Sequence, residues 1–125
     1  MQVEVAPPNS IVFVFDRSLP SVEVPEYQPS PNVLATGNCI SIGTLAEIDG
    51  TTTIEIGGSD HDDAGGMRWT EPMRLQTPGK SISVVTSENV ELLRVDTGTE
   101  QSVVTIGTND DREPDRIVVQ VVEAL

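Results

Sequence analysis

Apolar and polar positions alternate in Val3-Glu4-Val5 before Pro7-Pro8-Asn9-Ser10 breaks the pattern. Ile11-Val12-Phe13-Val14-Phe15 follows with no polar interruption. Such a run predicts a strand covered on both faces, at the centre of the core. Ser21-Val22-Glu23-Val24 predicts a short peripheral strand. Pro25, Pro29 and Pro31 then define a connector of poor strand potential, because proline cannot donate to a ladder, with Tyr27 as its expected anchor.

From Val33 onward the apolar pattern recurs at an offset of 50 residues. Ile40 and Ile42 match Val90 and Leu92, Leu45 matches Val95, and Ile54 and Ile56 match Val104 and Ile106. Each half continues into an acidic loop and a closing segment, Met67 to Leu75 in one and Ile117 to Leu125 in the other. The expected organisation is one all-β domain over residues 1–125, with a pseudo-repeat relating 33–75 to 83–125. Two three-stranded meanders plus the N-terminal strands would form an antiparallel β-sandwich. Asp49-Gly50 between strand formers predicts a two-residue hairpin with Ile48 facing Thr51. That register puts Ile40 and Ile42 on the wrong face unless a β-bulge near Gly43 restores them. Asp96-Thr97-Gly98-Thr99 predicts a longer hairpin, and Thr77-Pro78-Gly79-Lys80 a type II turn joining the halves. No segment has a helical period, so any helix should be a single turn.

Composition agrees. Val and Ile number 17 and 9 against 7 Leu and 5 Ala, and β-branched residues favour extended backbone. Charge then narrows the function. Twenty Asp or Glu against seven Lys or Arg give a net charge of −13, which opposes binding to nucleic acid phosphates and to anionic membranes. No run of 18 apolar residues is present, and the N-terminal stretch lacks the pattern of a signal peptide. A single cysteine, Cys39, fits a cytoplasmic protein.

The segment Asp60-His61-Asp62-Asp63, flanked by Gly57-Gly58 and Gly65-Gly66, offers three carboxylates and an imidazole to a cation. It lacks calcium-loop spacing, and no second histidine exists for a zinc or iron site, so no metal or cofactor is expected. Cys39 lies in a strand pattern with no basic neighbour and reads as a structural thiol, and His61 is the only available imidazole base. Paired carboxylates are plentiful, yet four aromatic residues leave little to line a substrate cleft. Trp69 alternates with Met67 on a predicted strand and belongs to the core, or, if exposed beside the acidic loops, becomes a binding anchor.

The second acidic loop, Asn109 to Arg116, occupies the equivalent place before its closing strand. If both loops emerge at one end, Asp60, Asp62, Asp63, Asp110, Asp111 and Glu113 form an acidic pole, unless Arg112 and Arg116 pair with the loop's own carboxylates. Residues 1–66 hold ten acids and one base, whereas 67–125 hold ten acids and six bases. Such asymmetry points to an electrostatic recognition surface. The expected function is a non-enzymatic protein-binding module with a basic partner. By analogy of size and charge, it is an inhibitor or immunity protein against a nuclease-type bacterial toxin. The alternatives are an accessory β-module of a phage or secretion assembly and a small metal-binding or hydrolytic domain using Asp60 to Asp63.

Overall fold

The β-branched runs fold into strands wherever they can bury one face, and two sheets share the apolar faces between them. The computed structural model describes residues 1–57 and 66–122. Within them lie strands β1 (Gln2–Val5), β2 (Ile11–Phe15), β3 (Val33–Ala35), β4 (Ile40–Gly43), β5 (Thr52–Gly57) and β6 (Arg68–Trp69). They continue as β7 (Met73–Gln76), β8 (Ser81–Thr86), β9 (Glu91–Asp96), β10 (Gln101–Thr108) and β11 (Arg116–Val122). Among the described residues helix is confined to single 3₁₀ turns at Pro8–Ser10 and Glu47–Asp49. The protein is an all-β sandwich.

One sheet has the order β3-β4-β2-β8-β9, and the other β1-β5-β11-β10-β6, with β7 also on β10. The strands are therefore divided differently from two meanders. Each segment of the pseudo-repeat, β3 to β7 and β8 to β11, contributes its first two strands to one sheet and its later strands to the other. Strands 50 residues apart share a sheet, but their pairings differ. β10 bonds its successor β11 antiparallel, whereas β5 bonds β1 antiparallel and β11 parallel.

This division corrects both expected hairpins. The chain crosses between sheets from Gly43 to Thr52, through the Glu47–Asp49 turn, and again between Asp96 and Gln101. Gly50 adopts φ 139° and ψ −163°, a crossover conformation closed to most side chains and unlike a two-residue hairpin turn. Ile40, Ile42, Ile54 and Ile56 all reach the core because the strands face each other from opposite sheets, so no bulge is needed at Gly43. Gly43 pairs regularly with Ile11, and the register shift lies instead between Val84 and Val85 of β8. At Thr77–Lys80 a turn does form, with Lys80 N–H donating to Thr77 O (2.8 Å). The positive φ, 59°, falls on Lys80 and not on Gly79, so the turn is not type II.

Two N-terminal expectations also change. β2 is the middle strand of its sheet, but only Val12 and Val14 are fully buried; Ile11, Phe13 and Phe15 on the outer face are half-covered. Ser21 to Val24 is not a strand. Its backbone is tethered by side chains instead, with Glu23 N–H donating to Asn38 Oδ1 (2.8 Å) and Thr36 Oγ1 donating to Glu23 O (2.7 Å). Tyr27 does not anchor the connector; it is 80% exposed.

Val12, Val14, Ile40, Ile82 and Val84 from one sheet meet Ile54, Ile56, Ile106, Ile117 and Val119 from the other. A buried carboxylate closes one end. Asp16 accepts from Ser18 N–H at Oδ1 (2.9 Å) and from Gly79 N–H at Oδ2 (2.6 Å), tying the end of β2 to the crossover before β8. Glycine is required at position 79, since a Cβ there would stand 2.9 Å from Asp16 Oδ1 and closer still to Ser18.

Candidate functional site

The opposite end of the sandwich gathers the loops 6–10, 44–51, 87–90 and 109–115, and it exposes Glu47, Asp49, Asp110, Asp111 and Glu113. Backbone bonds tie these loops together. Thr44 N–H donates to Ser10 O (2.8 Å), Leu45 N–H to Pro114 O (3.0 Å) and Thr53 N–H to Asp115 O (2.8 Å). Asn9 Nδ2 donates to Ser87 Oγ (2.8 Å).

The loop 109–115 is shaped by its own polar side chains. Asn109 Oδ1 accepts from Asp115 N–H (3.1 Å) and Arg116 N–H (3.2 Å), closing the loop base. Asp110 Oδ2 accepts from Glu113 N–H (2.8 Å) and Arg112 N–H (2.9 Å). Those two donors, Glu113 first, hold the Asp110 carboxyl below its ordinary range. Asp110 is thus a loop-former, while Glu113 points its carboxylate to solvent with no partner among the described residues. Asp111 makes an ion pair with Arg68 Nη1 (2.6 Å), both side chains being mostly exposed. The alternative, a pairing of Arg112 or Arg116 with the loop's own carboxylates, gives way to this contact from β6.

Trp69 follows Arg68 and lies opposite Gly107 on β10. Its ring covers that glycine so closely that a Cβ at 107 would meet ring carbons at 2.8–2.9 Å. Position 107 faces away from the core, so Trp69 is a half-buried residue on the outer face of the sheet. With Asp111, Arg68 and Pro31 it borders a cleft of about 270 Å³. A larger groove of about 740 Å³ adjoins it, between Tyr27 on one side and Asn9, Ser10, Asp111 and Arg112 on the other.

The structure therefore brings together Asp110, Asp111, Glu113 and Trp69. Asp60, His61, Asp62 and Asp63 lie outside the described residues. Among the described residues no three His, Cys, Asp or Glu side chains group as metal ligands, and no helix is long and apolar enough to cross a membrane. Cys39 is fully buried, and burial pushes its thiol up to about 11, which suits a packing role and opposes a nucleophilic one. Sequence reasoning missed Glu47-Ile48-Asp49. The Asp49-Gly50 signal assigned Ile48 to a hairpin, whereas it stands 90% exposed on the 3₁₀ turn.

These features define a two-sheet β-sandwich with a charged, loop-built end. The same fold is found in the crystal structure of ComJ from Bacillus subtilis, an inhibitor of the DNA-degrading activity of NucA. The two share 14% identity, and the match covers 99% of this chain and 96% of that one with a TM-score of 0.72. No family model and no curated protein matches the sequence.

Proposed function

We propose that this chain is a non-enzymatic inhibitor of a basic, DNA-degrading nuclease, acting by protein–protein contact in the cytoplasm. The observation that carries the reading is the likeness to ComJ, which spans the sandwich from end to end. The charge of the chain supports it independently. A net charge of −13 steers a cationic partner and repels the phosphates that such a nuclease degrades. Of the residues the sequence marked for recognition, Asp111, Glu113 and Trp69 are described ones that would meet the partner, with Trp69 offering aromatic area beside the charges.

The test is a DNA-degradation assay with the cationic nuclease encoded beside this chain's gene. Stoichiometric inhibition is expected, with affinity falling about tenfold or more between low and physiological salt. If no such neighbour exists, or if it degrades DNA unimpeded at low salt in excess of this chain, the reading is wrong.

A further inference from the structure

An isoleucine at 90% exposure is unusual on a segment that is neither frayed nor loosely held. Ile48 occupies the middle of the 3₁₀ turn Glu47–Asp49, which Asp49 N–H closes by donating to Ala46 O (2.8 Å). Both approaches to the turn are fastened. Thr44 and Leu45 bond the backbone of Ser10 and Pro114, and Thr53, just after the turn, bonds Asp115. Pro8–Ser10 packs alongside, while Leu45 lies beneath, 3.5 Å from the position a Cβ on Gly50 would take. The Ile48 side chain is thus presented by a pre-ordered scaffold, not parked on a mobile loop. Burying it against a partner removes apolar area from water with little further loss of backbone freedom.

The charge around it states what that partner is. Glu47 and Asp49 flank Ile48 in sequence, and both are exposed. The bond from Leu45 to Pro114 brings the turn against the loop that carries Glu113 and Asp111. An apolar centre within a carboxylate rim matches the usual arrangement of a protein interface, an anchor that fills a pocket and a polar surround. A carboxylate rim is complementary only to a surface rich in Lys and Arg.

We infer that Ile48, rimmed by Glu47, Asp49 and Glu113, is the anchor that this end of the sandwich inserts into an apolar socket on a basic protein partner. The inference rests on the inhibitor reading for the identity of that partner, and it adds where contact is made and what kind of pocket receives it. The surface lies on the Pro114 side of loop 109–115, distinct from the Trp69 cleft on its Arg68 side.

The experiment measures binding and inhibition of the neighbouring nuclease by the whole chain and three variants. Ile48→Asp, at an exposed position, should fold with an unchanged melting curve and raise Kd roughly thirtyfold or more, the size of an anchor loss. Glu47→Lys with Asp49→Lys should raise Kd and flatten its salt dependence. Glu100→Lys, an exposed change on the connection at the opposite end, should alter Kd less than about threefold, as expected of a distant charge under salt screening. If the unaltered chain inhibits and Ile48→Asp inhibits equally well, the anchor is wrong and the inhibitor reading stands. Equal weakening by Glu100→Lys and the Glu47/Asp49 pair would also overturn it, since net charge alone would then suffice. A chain that binds no such nuclease removes both.

Discussion

Asp16 and Asp110 sit at opposite ends of the sandwich and make the same kind of contact, yet they do opposite work. Each carboxylate accepts two backbone N–H groups. Asp16 is fully buried, and one of its donors lies 63 residues away, so it locks the end of one strand to a crossover formed much later in the chain. Asp110 is exposed, and both its donors lie in its own loop. The same chemistry therefore closes the fold at one end and shapes a displayed loop at the other. Twenty acidic residues cannot be counted as one surface property: some are structural pins, and only those left over can meet a partner.

This contrast can be broken most directly at Asp16. Asp16→Ala strands two partly buried donors, and urea unfolding should show a loss of about 2–4 kcal/mol. Gly79→Ala attacks the same pin from the other side by forcing a Cβ onto Ser18 and Asp16, and should cost about 1–3 kcal/mol by the same measurement. At the opposite end, Thr52 is fully buried with its hydroxyl unpartnered. Thr52→Val should raise stability by about 1 kcal/mol, because it removes an unsatisfied polar atom without changing shape. A fall in stability would mean that the hydroxyl has a partner in solution.

The smallest effect concerns Asp110. Its folded-state pKa lies below its unfolded value because the Glu113 and Arg112 amides favour the charged form. Its contribution is therefore complete above the unfolded value, near 3.8, and is lost as pH falls through the folded value. Carboxyl NMR should place the Asp110 midpoint below that of exposed aspartates, with the Arg112 and Glu113 amide signals moving at the same pH. A midpoint at the ordinary aspartate value would show that the loop is not capped in solution.

Much of the strand inventory was legible in the sequence. Val and Ile spacing marks β1, β2, β4, β5 and β8 to β11 because an extended chain with one buried face must show it. Which sheet each strand joins was not legible. Both sheets turn their apolar faces to a common core, so two strands in one hairpin and two strands split between sheets carry the same alternation. Ile48 was lost for that reason: Asp49-Gly50 signals a tight turn, but whether it reverses the chain within a sheet or carries it across depends on long-range partners. Ser21 to Val24 failed similarly, since it has strand composition but its backbone is held by the side chains of Asn38 and Thr36 and not by a neighbouring strand. At the candidate site, the acidic loop and Trp69 were visible as residues. The Arg68 partner of Asp111 was not, because the two come together only through the pairing of β6 with β10.

The position of β11 has a consequence for synthesis. All five strands of its facing sheet lie within residues 11–96. The other sheet is completed through β11, which enters between β5 and β10 and is the latest strand in chain order. Until residues 116–122 emerge, β5 and β10 have no neighbour between them, and the finished sheet has an incomplete partner to cover its valines and isoleucines. A chain lacking β11 would thus leave the apolar faces of the first sheet exposed and prone to self-association.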